Sequence, residues 1–182
     1  MMSGRALVYT PTGFYTFDVN NPATTIVKAN KVLIFNSDEN KYEDLDPTKY
    51  RSLTPVAYIY KDRMYVDFAP VKEDINTANL KFVMQDGVRT NFVYDGKNLI
   101  YLETSGESGY YDKNNKSISL SRYMVANVDI ATLHVISENM LIDKNWIYFI
   151  DTQMVGSTLQ TIQIKELGFD VKIFAPAAEL MK

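Results

Sequence analysis

Short segments that alternate apolar and polar residues, or are apolar on both faces, recur along the whole chain beside polar turns. Such period-two segments predict β-strands, and two of them around a short turn predict a β-hairpin. Hairpins are predicted over Ala6–Phe17, Ala57–Phe68, Asn91–Leu102, Gly109–Leu120 and Met140–Ile150, with further strands at Val32–Phe35 and Phe169–Phe174. Because nearly every apolar segment is of this kind, the sequence predicts an all-β fold of repeated hairpin units.

Two Asp-Gly pairs mark positions where the chain reverses between strands. Asp95-Gly96 stands between the two strands of one predicted hairpin, and Asp86-Gly87 precedes that hairpin. Glycine after aspartate supplies the positive φ that primed two-residue turns require. Both pairs therefore predict tight turns.

A weak internal repeat introduces these hairpins. A turn led by Asp or Asn recurs about every ~27 residues, which makes about six units. Copies lie at Asn21-Pro22, Asp46-Pro47-Thr48, Asp74-Ile75-Asn76-Thr77 and Asp129-Ile130-Ala131-Thr132, with a degenerate copy near Glu103-Thr104-Ser105 and a trace at Thr158-Leu159. An Asx side chain accepts backbone N–H groups two or three residues on, which caps a single turn. One repeat domain over residues 1–182 is predicted, and sandwich-like, solenoid and propeller-like arrangements all remain open.

Two segments near the end of the chain carry helical signals. Helical spacing places Leu159, Ile162 and Leu167 near one face with Gly168 as a C-cap, whereas β-branching and alternation over the same residues favour a strand. Both alternatives stay open at this stage. Residues Ala175 to Met181 are rich in good helix formers and predict a short C-terminal helix.

Composition excludes several classes of protein. The 182 residues are 46% hydrophobic and 23% charged, which is ordinary for a soluble globular chain. A net charge of −3 without a basic cluster argues against nucleic-acid binding, and zero cysteines exclude disulfides and thiolate metal sites. No apolar run approaches the ~20 residues that span a bilayer, and no signal peptide begins the sequence, so a cytoplasmic or virion-associated location is expected if the chain is complete.

One stretch resembles a known repeat family. Asp129-Ile130-Ala131-Thr132-Leu133, followed by Leu141-Ile142-Asp143-Lys144-Asn145-Trp146-Ile147-Tyr148, is similar to the DKNYY repeat, and Asp46-Pro47-Thr48-Lys49-Tyr50 with Tyr58 to Tyr65 resembles a second copy. Asp46 departs from the pattern because no Thr stands three residues on, and the Asp74 unit has a longer loop. The resemblance implies a β-rich repeat protein of a kind often predicted to be exported in bacteria, with no established enzymatic activity. It carries over no catalytic residue.

Candidate chemistry is sparse. His134 is the only histidine and lies in a predicted strand, where a structural role is the commoner one. The run Asp112 to Ser117 lacks the glycine and glutamate of a calcium loop, and Ser105-Gly106-Glu107-Ser108-Gly109 is one residue short of a nucleophile elbow. The carboxylates of Glu43, Asp44 and Asp46 are expected in a polar loop. The sequence therefore predicts no enzyme, no cofactor and no metal site.

Aromatic content is the remaining signal, with 13 Tyr, 9 Phe and one Trp. Strands such as Tyr58-Ile59-Tyr60 and Trp146-Ile147-Tyr148-Phe149 are apolar on both faces and are expected to be covered on two sides. The candidate binding aromatics are Tyr58, Tyr60, Tyr65, Trp146 and Tyr148; cross-strand packing is the alternative role and carries more weight. The predicted function is a non-enzymatic protein-binding or scaffold protein, with a structural subunit of a phage or surface particle as the alternative. A protein partner or self-association is expected, whereas binding to nucleic acid or to a membrane is not.

Overall fold

The fold is all-β, as predicted, and is built from antiparallel sheets. The computed structural model describes residues 5–10, 13–18, 27–28, 32–36, 41–66, 69–102, 117–153, 156–168, 171–172 and 177–181. Helical structure within these ranges is limited to three 3-10 turns, Pro47–Lys49, Ile130–Thr132 and Ile164–Leu167. No helix in the described ranges is long and apolar enough to cross a membrane.

The strands form five sheets in which neighbours along the chain pair with one another. One small sheet contains β1 (Arg5–Thr10), β2 (Gly13–Asp18) and β3 (Val27–Lys28). A second small sheet contains β4 (Leu33–Asn36) and β5 (Lys41–Asp44). The first larger sheet contains β6 (Tyr50–Ser52), β7 (Ala57–Tyr60), β8 (Arg63–Val66) and β9 (Ala69–Pro70). The middle sheet contains β10 (Lys81–Gln85), β11 (Val88–Tyr94), β12 (Asn98–Tyr101) and β13 (Met124–Ala126), and its fifth strand, β18 (Glu179–Leu180), comes from the end of the chain. The third contains β14 (His134–Ser137), β15 (Met140–Ile142), β16 (Trp146–Gln153) and β17 (Gly156–Gln163).

Positive φ angles close the predicted tight turns. Asp86 and Gly87 have φ of 51° and 78°, so this pair forms a two-residue turn between β10 and β11. Lys61 and Asp62, with φ of 48° and 61°, do the same between β7 and β8 without a glycine. Gly96 has a φ of 98° in the turn before β12. Both Asp-Gly predictions are confirmed.

The Asx-led turns are only partly as predicted. Asp46 and Asp129 each cap a 3-10 turn by accepting the N–H two residues on. In the middle unit the turn is led by Asn76, whose side chain accepts from the Asn79 N–H, and not by Asp74. Thr158 and Leu159 lie inside β17 and form no turn. The copies at Asn21-Pro22 and near Glu103 lie outside the described residues.

The main hydrophobic core draws on all three larger sheets. The middle sheet is buried on both faces, since Phe92 and Leu99 point to one side and Val93 and Ile100 to the other. The first and third sheets each turn one face to this core, through residues such as Ile59 and Leu141. All of β7 is buried, which confirms that this strand is covered on two sides; in Trp146–Phe149 only Tyr148 is fully buried.

Two predictions near the end of the chain are resolved. Residues Gly156–Gln163 form strand β17, and the helical alternative is limited to the 3-10 turn that follows, which Gly168 ends in the left-handed conformation with a φ of 71°. The predicted C-terminal helix is wrong. Glu179–Leu180 form β18, which pairs with β10, because the open edge of that strand offers backbone partners that a short isolated helix lacks. Most of Phe169–Phe174 lies outside the described residues.

Candidate functional site

A buried aspartate holds the turn of the third sheet together. The side chain of Asp143 is 1% exposed, and its Oδ1 accepts from the N–H groups of Asn145 at 2.7 Å and Trp146 at 2.8 Å. Its Oδ2 accepts from the Tyr148 hydroxyl at 2.6 Å and from the Asp129 N–H at 3.1 Å. One carboxylate thus joins the hairpin turn to the capped turn that precedes the unit.

Asp95 repeats this arrangement in the middle unit. Its Oδ1 accepts from the N–H groups of Lys97 and Asn98, and its Oδ2 accepts from the Asn98 side chain at 3.0 Å and the Asn76 N–H at 3.4 Å. Asp95 is buried, and the asparagine amide takes the position that the Tyr148 hydroxyl has beside Asp143. Two aspartates that a sequence search treats as turn residues are therefore internal anchors.

The first unit makes the same connection with a tyrosine. The N–H of Asp46 donates to the hydroxyl of Tyr60 at 3.2 Å, across 14 residues, and the N–H of Asp129 donates to Asp143 across the same 14 residues. The Tyr60 hydroxyl lies 3.4 Å from the Asp44 carbonyl, to which it donates. Tyr60 thus accepts in the first unit the backbone hydrogen bond that Asp143 accepts in the third. This candidate binding residue therefore has a structural role.

The tyrosines of the first sheet pack against one another on the face away from the main core. The rings of Tyr58 and Tyr65 stack with centroids 5.1 Å apart, and Tyr50 lies 5.5 Å from Tyr58. Tyr58, Tyr60 and Tyr65 are all buried and form one cluster with Leu45 and Tyr50 at its border. Burial raises the pKa of the Tyr58 phenol above its usual range. These three candidate binding residues offer almost no surface to a partner, and their burial supports the packing role.

The two candidates of the third sheet differ from each other. Tyr148 is buried, and burial, with the bond to Asp143, raises the pKa of its phenol. Trp146 is half-buried at the border of the core, and its backbone N–H donates to the Asp143 carboxylate. The structure brings these two together around one carboxylate, separate from the tyrosines of the first sheet.

An open polar cleft of about 660 Å³ lies between the first and middle units. Its lining includes Asp62, Asp74, Asn76, Lys97 and the buried Asp95. Thr77 at its wall donates to the Asp62 carbonyl at 2.9 Å. Among the described residues that line the cleft there is no aromatic side chain and no histidine.

The other candidate groups have ordinary partners. His134 places Nδ1 2.9 Å from the Thr132 carbonyl, Glu43 pairs with Lys61 at 2.8 Å, and the Asp46 carboxylate caps its own turn. In the part of the chain that the structure describes, no group of three or more His, Asp or Glu side chains is placed to hold a metal ion. Residues 105–109 and 112–116 lie outside the described ranges.

An exposed apolar patch, which the sequence did not single out, lies on the outer face of the third sheet. Ile136 is 43% exposed and Met140 37%. Met140 lies opposite Ser137, and Ile136 is the extra residue at a shift in register between Val135 and Ser137. Met140 pairs with the half-buried Phe149, which extends the patch onto β16. In Val135-Ile136 and in Met140-Leu141, two adjacent strand residues are both apolar, so each pair places an apolar side chain on both faces of the sheet. This pattern is the signal in the sequence that indicates the patch.

Comparison with known proteins gives no match, whether to protein families, to curated proteins or to solved structures.

Proposed function

We propose that this chain is a non-enzymatic β-repeat protein that binds another protein through the outer face of its third sheet. The observation that carries the proposal is the patch of Ile136, Met140 and Phe149, where a solvated sheet face would carry polar residues. Exposed methionine and aliphatic side chains adapt to apolar surfaces and are typical of protein-binding faces.

The alternative of an enzyme has little support from the described residues. The carboxylate oxygens of the two buried aspartates, Asp95 and Asp143, accept hydrogen bonds from backbone and side-chain donors. Asp95 lines the polar cleft, but both of its oxygens are engaged in this way, which does not favour a role as a general acid or base. The resemblance of the Asp143-Lys144-Asn145 turn to the DKNYY repeat, a family without established enzymatic activity, agrees with a binding role.

The test compares matched surface substitutions. Met140→Lys places a charge in the patch, and Val88→Lys makes the same chemical change at a residue that is 68% exposed on a different hairpin. The patch predicts that a protein co-purifying with the wild type and with Val88→Lys is lost from Met140→Lys, while all three proteins melt alike. If all three proteins capture the partner equally, the patch is ruled out as the binding surface.

A structural subunit of a multimeric assembly is the second candidate. It is favoured by the uncharged edge strand β17, because an edge without charges is open to pairing with another chain. Light scattering over a concentration series separates the candidates, since a subunit grows in mass with concentration and a binder of other proteins stays monomeric.

A further inference from the structure

We propose that the edge strand β17 pairs antiparallel with β17 of a second copy of this chain, about a two-fold axis at Ile162. This inference rests on the second candidate function and names the residues that would make the contact. It is separate from the patch around Met140.

The direction of the backbone groups along β17 is fixed by its two neighbours. The N–H of Leu159 donates to the Arg122 carbonyl at 2.8 Å, on the side away from β16. Backbone groups alternate sides along a strand, so those of Thr161 and Gln163 point to the same outer side. Ile164, one residue further, donates to the Asn145 carbonyl on the inner side, as the alternation requires.

Within the described part of the chain, the outer side of β17 is open at Thr161 and Gln163. Among the described residues, no backbone group lies in hydrogen-bonding position on that side of either residue, and the Thr161 side chain is exposed. By contrast, β14 at the other edge of the same sheet is covered, because His134 bridges to Ala177 and the Ala178 N–H donates to the Leu133 carbonyl. Of the two edges of this sheet, β17 is therefore the one that the described residues leave available for a further strand.

The composition of β17 lacks the features that keep edge strands apart. Its eight residues, Gly-Ser-Thr-Leu-Gln-Thr-Ile-Gln, include no charge and no proline, and its ladder with β16 is regular from end to end. Lysine, proline and bulges are the usual protections of an edge. The partner must be a β-strand, since only a strand presents N–H and C=O groups at the same alternation.

The two-fold arrangement follows from where the edge is open. Because Leu159 is already bonded to Arg122, the free groups are those of Thr161 and Gln163, and an antiparallel copy satisfies both sets when Thr161 faces Gln163 of the partner. This register makes about four backbone hydrogen bonds and sets Ile162 opposite its own copy, with about 4.5 Å between Cα atoms. The interface is small, so a weak, concentration-dependent dimer is expected.

Single cysteines test the register in the full chain, which has no cysteine of its own. Ile162→Cys places two thiols at the axis, within the Cα separation of about 4.4 to 6.8 Å that a disulfide needs. Gln160→Cys is the matched control on the same strand and face, because its two copies would lie about 13 Å apart along the strand. Under mild oxidation, we expect a disulfide dimer from Ile162→Cys and not from Gln160→Cys. Equal crosslinking of both, or of neither, overturns the register.

Thr161→Pro tests the edge without any crosslink. The Thr161 N–H faces outward, so proline removes an intermolecular donor and leaves the ladder with β16 intact. In sedimentation equilibrium, Thr161→Pro should raise the dimer dissociation constant at least about tenfold, while Thr161→Val, which keeps the N–H, should not. If the protein assembles but neither variant alters the assembly, the inference fails and the second candidate function stands. A wild type that stays monomeric up to about 1 mM defeats both.

Discussion

Replacing Asp143 with asparagine changes one atom in the best-formed unit of the protein. The asparagine oxygen can still accept from the N–H groups of Asn145 and Trp146, which lie 2.7 and 2.8 Å from Oδ1. Its NH₂ group then faces the N–H of Asp129, 3.1 Å from Oδ2, and two donors meet without an acceptor. A buried donor left without a partner costs about 1 to 3 kcal/mol. For a chain of this length, that lowers the melting temperature by about 2 to 12 °C.

Thermal unfolding followed by circular dichroism measures this effect. Asp86→Asn is the control, because Asp86 is exposed in a turn with a φ of 51°, a conformation that asparagine adopts readily. Tyr148→Phe removes a single donor and leaves the carboxylate with its three N–H partners, so it should cost about 1 kcal/mol. The expected order of destabilisation is Asp143→Asn, then Tyr148→Phe, then Asp86→Asn. An Asp143→Asn protein that melts with the control would refute the anchoring role of the carboxylate.

Two further predictions concern the same unit. The hydrogen bond from Lys144 holds the pKa of the Asp129 carboxyl below its usual 3.8. The stability that this carboxylate contributes is therefore complete above that pH and is lost as the pH falls through the lower pKa of the folded protein. The melting temperature of Asp129→Asn should decline less steeply in acid than that of the wild type, and parallel curves of melting temperature against pH would contradict this. Trp146→Ala should lower the melting temperature less than Tyr148→Ala, because Trp146 is half-buried whereas Tyr148 is fully buried and bonded to Asp143. For Tyr148→Ala, a loss of about 3 to 5 kcal/mol in the free energy of unfolding is expected. The reverse order in thermal melts would mean that the tryptophan contributes more to packing than the tyrosine.

Local patterns predicted the strands and turns of this protein well. The pattern of apolar and polar residues located β7, β8 and β15 to within two residues, but ended β16 at Ile150, three residues before its observed end at Gln153. Asp86-Gly87 located a primed turn. These features depend on neighbouring residues, whose chemistry is visible in the sequence. The turn at Lys61-Asp62 has two positive φ angles without glycine, and only the pairing of β7 with β8 requires it.

Contacts between distant residues could not be predicted in the same way. The segment around Glu179 and Leu180 has helix-forming residues, but the open edge of β10 pairs it as a strand. The tyrosines of β7 and β8 were candidates for a surface, and the sheet turns them inward to stack on one another. Which face of a strand is covered depends on the neighbouring sheets, and no periodicity within the strand reports them.

The bond that joins each capped turn to its hairpin has a consequence for how such units diverge. Tyr60 and Asp143 accept the same backbone N–H from the same distance along the chain, although one is a large phenol and the other a small carboxylate. The first and third units therefore share an interval of 14 residues between a backbone donor and a side-chain oxygen, whereas the middle unit makes the same bond across 19 residues, from Asn76 to Asp95. The bond is common to the three units, and the residue that carries the oxygen differs between them. Copies of this unit in other chains should be sought by a buried side-chain oxygen that accepts the N–H of a preceding turn, since an alignment that scores residue identity penalises the substitution that the fold tolerates.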